Sequence, residues 1–201
     1  VFSPKGGVGC TTIAVNLAIA LRQMGGSNVR VALVDGCLQF GDVGVMLNLQ
    51  PTRSIADLLS EIDNLDSDML NSVMTAHGSG IKAMLAPPSP EAAEALLAGS
   101  VGDEGARGAG VLRSIFRVLR QEYDIIVVDA WSRVDDIALA IFDAALLIVL
   151  VVMPNIPAIK SARLFLELAG KLNYPADKIA LVVNGVDPSS RISVPRIEAA
   201  M

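Results

Sequence analysis

Cysteine is scarce in this chain of 201 residues, which has only Cys10 and Cys37. Two thiols make no disulfide framework, and without a cleavable signal pattern at the start a reducing cytosol is the expected compartment. Histidine occurs once, as His77; it has no second ligand-type residue nearby, and a place at a helix end, near the negative pole of the dipole, accounts for it. Aromatics make up 4% of the residues, so the core falls to Ala, Val, Leu and Ile, a palette suited to parallel strands buried between helices. Basic residues number 16 against 21 acids, a net charge of -5. That balance argues against direct nucleic-acid binding and against non-specific adhesion to anionic lipid. A long apolar run is missing too. The stretch "IALAIFDAALLIVLVVMP" is broken by Asp143 and stopped by Pro154, and its unbroken part, from Ala144 to Met153, is too short to cross a bilayer. It reads as a short helix followed by a buried strand.

What is present alternates. Strands are expected at Val1–Ser3, Val29–Val34, Ile81–Leu85, Ile125–Val128, Leu146–Val152 and Ile179–Val183. Helices are expected at Thr11–Met24, Ser67–Ala76, Pro90–Ala98, Val111–Glu122 and Pro157–Leu172. Ser89 and Pro90 form an N-cap and first helical residue. Such alternation implies an α/β fold with a doubly wound, mainly parallel sheet and helices on both faces, as one domain spanning residues 1–201. The glycines at 99, 102, 105 and 108 read as a flexible loop. The acids Asp57, Glu61, Asp63, Asp66 and Asp68 read as a solvated surface, and Arg113, Arg117 and Arg120 as the wet side of a helix. Val1 falls inside what reads as the first strand, and "SVPRIEAAM" ends as a helix begins, so the chain reads as clipped at both ends.

The stretch "VFSPKGGVGCTTIAVNLAIAL" carries the chemistry. Glycines let backbone N–H groups wrap closely around phosphates as a nest, and the helix that follows adds the positive end of its dipole. Gly6, Gly7 and Gly9, followed by Thr11 and Thr12, meet that demand, with the Thr11 hydroxyl suited to Mg²⁺. The regular pattern GxxxxGK(S/T) is broken twice, by Pro4 and by Cys10 in its lysine slot, and a plain glycine turn before a helix is the competing reading. "VALVDGC" sets Asp35 at the carboxyl end of a strand, where open α/β sheets bind ligands. "YDIIVVDAW" sets Asp129 at the end of another. Two carboxylates beside a phosphate cradle are what a nucleotide–Mg²⁺ site needs.

"SPKGGVGCTT" resembles the deviant Walker A motif of the MinD/ParA family of P-loop ATPases. "LVDGCLQFGDVGVMLNLQPTRSIADLL" is similar to the CpaE/TadZ pilus-assembly branch. "LAPPSPEAAE", "YDIIVVDAWSRVDD", "VVMPNIPAIKSARLFLELAGKL" and "KIALVVNGVDPSSRISVPRIEAA" extend the likeness over nearly the whole chain. The resemblance implies ATP and Mg²⁺ as cofactors and a homodimer in the ATP-bound state. Lys5 becomes the signature lysine that reaches across to the partner copy's phosphates. Gly6, Gly7, Val8, Gly9, Cys10, Thr11 and Thr12 become the phosphate cradle. Thr11, Asp35 and Asp129 become the Mg²⁺ set, with Asp129 acting through a coordinating water, and Lys5 and Asp35 become the catalytic pair. Asn184 matches the adenine reader, with a turn residue at a strand end as the competing reading.

Two positions depart from the family. Cys10 replaces the second lysine, and Cys37 replaces the aspartate that helps position the attacking water, so binding should persist while hydrolysis is weak or absent. A Cys10–Cys37 redox switch is a further reading, against a small residue simply standing where a charge was lost. Trp131 fits either a functional place, in the switch region or at the dimer face, or ordinary packing. The function implied is localisation or assembly of a type IV (Flp/Tad) pilus or secretion system, with that machinery as partner. The alternative is a partition or division-site positioning ATPase. The expected location is cytoplasmic, with recruitment to the inner membrane face or the cell pole indirect or through segments outside the chain, where a receiver-like domain could also stand.

Overall fold

The computed structural model describes residues 1–50, 53–97, 104–187 and 192–201. Six strands, β1 (Val31–Asp35), β2 (Met74–Ala76), β3 (Lys82–Met84), β4 (Ile125–Asp129), β5 (Ile148–Val152) and β6 (Ile179–Val183), alternate with eight α-helices among those residues. The order β2-β3-β1-β4 forms one sheet and β5-β6 another. All pairings are parallel except that of β2 with β3.

The first residues join the two sheets. The Phe2 N–H donates to the Val149 carbonyl at 2.9 Å and the Phe2 carbonyl accepts from Val151 at 2.8 Å. On the other side, the Ala130 N–H donates to the Val1 carbonyl at 3.0 Å. The expected strand Val1–Ser3 is therefore reduced to an isolated bridge, with Phe2 paired to Leu150 of β5 and Val1 bonded at the end of β4, and it links the two sheets.

Alternation along β1 divides the core. Val31 and Leu33 face α1 (Cys10–Gly25), where Ala14, Val15 and Ala18 are buried. Ala32 and Val34 face the opposite cluster, which holds Leu112, Ile115 and Leu119 of α5 (Glu104–Glu122), Phe142 of α6 (Asp136–Ala144) and Phe165 of α7 (Ile156–Lys171). Both faces of the sheet are thus covered, as a hydrophobic parallel sheet requires. Helices α6 and α7 each start on a side-chain cap. Asp135 Oδ1 accepts from Ala138 at 3.0 Å, and Asn155 Oδ1 accepts from Ala158 at 2.9 Å.

Four expectations are corrected. The helix expected over Ser67–Ala76 ends at Val73, because Met74–Ala76 pairs antiparallel with β3 and the ladder overrides the helical pattern. The expected loop at the glycines is helical from Glu104, so Gly105 and Gly108 lie within α5, whose buried Ala109, Leu112, Ile115 and Leu119 recur at helical spacing; Gly99 and Gly102 lie outside the described residues. The acidic stretch is only partly a solvated surface: Asp57 closes a capping box with Ser54, and Asp66 caps the helix Ser67–Val73. His77 sits in the turn between β2 and β3, its Nδ1 2.9 Å from Ser79 Oγ, not at a helix end. No helix among the described residues is long and apolar enough to cross a membrane.

Candidate functional site

The register of β1 with β4 places Asp35 directly beside Asp129 at the carboxyl ends of the two strands. The turn after Phe2 brings the glycine loop over the same end of the sheet. Gly7 and Gly9 take positive φ values of 77° and 92°, and Gly9 is the N-cap of α1 with no side chain capping the helix. The first turn of α1 contains no acid either, so its N–H groups and dipole face outward with no protein anion to satisfy them, as an anion site requires.

These elements enclose a cavity of about 470 Å³ lined by Lys5, Gly6, Gly7, Gly9, Cys10, Thr11 and Thr12 from the loop and helix, together with Asp129 and Trp131 after β4. That volume lies within the range of small-molecule sites. Cys37, Asp42, Val45 and Met46 close the far side. Lys5 is exposed at the rim and forms no ion pair among the described residues.

Three expected site residues do not line the cavity. Val8 is buried beneath the loop, 3% exposed. Its carbonyl accepts from Asn184 Nδ2 at 2.8 Å, which ties the end of β6 to the cradle. A carbonyl can only accept, so Nδ2 is the bonded atom and Oδ1 is the group left over. Asp35 lies behind the wall. Its Oδ1 accepts from the Cys37 N–H at 3.1 Å and its Oδ2 from the Val43 N–H at 3.2 Å. The carboxylate thereby folds residues 36–43 into a loop, and glycine is required at 41, where a Cβ would sit 2.2 Å from Asp35 Oδ2.

Burial dominates the electrostatics. It pushes the Asp35 acid up to about 7, with the Asp129 charge adding to the rise and the two amides opposing it. Burial also raises Asp129, while the Thr11 hydroxyl holds it down. Asp129 is 2% exposed, and its Oδ1 has no hydrogen-bond partner. Two carboxyls side by side resist joint ionisation until a cation arrives. The buried, unpartnered oxygen, the adjacent Thr11 hydroxyl and the oxygen-only donor set fit Mg²⁺. Thr11 and Asp129 would hold it, and it would supply charge to neutralise bound phosphates. Burial pushes the Cys10 thiol up to about 12, aided by Asp129, and raises Cys37 as well. Both cysteines are free.

A family profile described as an AAA domain matches residues 1–175. The chain belongs to the MinD/ParA family of P-loop ATPases. Its similarity to individual members is distant but long. It is 28% identical over 167 residues to the antiactivator FleN of Pseudomonas aeruginosa, covering 83% of this chain and 54% of that protein. It is 24% identical over 188 residues to the septum site-determining protein MinD of Thermotoga maritima, covering 94% of this chain and 64% of that one. The chain thus spans between half and two thirds of these relatives. Among solved structures, a ParA family ATPase from Chlorobium tepidum superimposes with a TM-score of 0.83 at 25% identity, covering 99% of this chain and 78% of the other. MinD from Pyrococcus horikoshii, complexed with Mg-ADP, gives 0.78 at 20% identity over 100% of this chain and 75% of that one. The α/β fold read from the sequence is the fold these MinD/ParA structures have.

Asp42, Val45, Met46 and Ser132 were not anticipated at the site. Periodicity could not reveal the first three, since the helix α2 (Val43–Met46) is one turn long. Trp131, for which two readings stood, lines the cavity and carries the Arg133 guanidinium 5.6 Å from its ring centroid.

Proposed function

We propose that this chain binds ATP with Mg²⁺ and pairs with a second copy in the ATP-bound state, serving as a positional scaffold whose hydrolysis is slow. One observation carries this reading. The phosphate cradle is built, with Lys5 at its rim and an uncapped helix N-terminus beneath, yet Cys10 and Cys37 line it where the family has a lysine and an aspartate. Binding draws on the backbone nest, the helix dipole, Mg²⁺ and Lys5. Fast phosphoryl transfer draws on charge and positioning that two thiols do not supply. In this reading Asn184 Oδ1 accepts from the adenine N6 amino group, and Asp35 stands behind the Mg²⁺ site. Phosphate release by the wild type should fall well below that of a variant carrying both Cys10→Lys and Cys37→Asp. Equal rates would refute the slow-scaffold reading.

The LQFGD segment and the SIADLL helix support assignment to the pilus-assembly or secretion branch, with recruitment to the membrane face or pole through partner proteins. A strain lacking the chain should then lose assembled pili while placing its septum and plasmids normally. The opposite pattern would favour the positioning role that the names of the MinD and ParA relatives suggest.

A further inference from the structure

Asp129, Asp35 and Asp42 stand around the carboxyl ends of β1 and β4, and their surroundings sort them. Asp129 is buried beside Thr11, lines the cavity and has one oxygen without a hydrogen-bond partner. Asp35 is buried behind the wall with both oxygens occupied by backbone amides. Asp42 alone is exposed and lines the cavity. It is the N-cap residue of α2, yet its side chain caps nothing: its backbone is right-handed helical (φ -108°, ψ -2°) where a capping residue is extended. The same two amide bonds place residues 37 and 42 on one rim. Cys37 is there but spends its thiol on the Phe40 carbonyl at 3.4 Å, and a thiol with that partner offers water no acceptor of carboxylate strength.

We propose that Asp42 orients the attacking water for whatever ATP turnover this chain performs, in the role that Cys37 cannot fill. The inference rests on the reading of the cavity as an ATP–Mg²⁺ site. In the step concerned, the water oxygen bonds to the γ-phosphorus and the bond from that phosphorus to the β–γ bridging oxygen breaks. ADP leaves with the electron pair, and the water's proton passes to phosphate or solvent. Asp42 accepts a hydrogen bond from the water and is not consumed, so it is a positioning residue.

The test uses the wild-type chain, Asp42→Asn and Asp42→Asn/Cys37→Asp. Three quantities are read: affinity for a fluorescent ATP analogue with Mg²⁺, phosphate release, and lifetime of the ATP-bound dimer on gel filtration. Asp42→Asn should bind the analogue as the wild type does, release phosphate about a hundredfold more slowly, the scale of a misplaced reactant, and form a longer-lived dimer. Adding Cys37→Asp should restore both release and dimer lifetime. Absence of analogue binding by the wild type would overturn the ATP-site reading, and the inference with it. Normal binding with release unaltered by Asp42→Asn, or a slow variant that Cys37→Asp does not restore, would overturn the inference and leave the site reading standing. A wild type that binds but releases no phosphate would overturn it as well.

Discussion

Gly9→Ala tests how the cradle is held. Gly9 sits at φ 92°, ψ 26°, a left-handed conformation that costs an L-residue about 1–2 kcal/mol. A Cβ there would also lie 2.5 Å from Asn184 Nδ2, so Asn184 must leave Val8. That forfeits a partly buried hydrogen bond of about 1 kcal/mol, for a total near 2–3 kcal/mol. Gly7 provides the control: its φ is 77° but a Cβ would meet nothing within 4 Å, so Gly7→Ala carries the backbone strain alone. The assay is thermal unfolding without nucleotide, where 1 kcal/mol moves the midpoint by about 2–4 °C for a chain this long. Gly9→Ala should unfold lower than Gly7→Ala by about that margin. In Asn184→Ala the hydrogen bond is already gone, so adding Gly9→Ala should cost only the strain, and the two changes should be non-additive by about 1 kcal/mol. Equal midpoints for the two glycine variants, or strict additivity with Asn184→Ala, would refute the clamp.

Three further outcomes follow from the packing and the site. Phe165 meets Phe2 and Phe142 at ring centroid distances of 4.8 and 5.4 Å, so Phe165→Ala should cost about 3–5 kcal/mol in urea unfolding; a loss under 1 kcal/mol would contradict the packing. The Cys10 thiol, pushed up to about 12 by burial, has about one part in ten thousand thiolate at pH 8. Iodoacetamide should therefore label it far more slowly than a free thiol and faster with rising pH, and rapid labelling at pH 8 would contradict that. Because Asn184 Nδ2 is spent on Val8, the proposed base contact can only accept. 7-Deaza-ATP should then bind as ATP does, and inosine triphosphate about tenfold more weakly; equal binding of ATP and inosine triphosphate would refute the contact.

The glycine loop, Asp35 and Asp129 were legible because each lies where strand and loop patterns coincide, at the carboxyl end of an apolar run. The doubly wound sheet was legible for the same reason: β1, β4, β5 and β6 are apolar runs separated by helices. What stayed hidden depends on contacts between distant or very short segments. The Asn184–Val8 bond joins residues 176 positions apart, and no local pattern announces it. Asp42 reaches the rim only because Asp35 turns the loop and Gly41 allows it. β2 has three residues that continue a helical pattern, and only pairing with β3 makes them a strand.

The central claim is that nucleotide gates pairing through Lys5. Light scattering coupled to gel filtration measures it directly, for the wild type and for Lys5→Ala, with and without ATP and Mg²⁺. The account predicts one copy without nucleotide, two copies with ATP and Mg²⁺, and a Lys5→Ala variant that binds nucleotide but stays single. A mass that ATP does not change, or a Lys5→Ala variant that pairs as the wild type does, would contradict it.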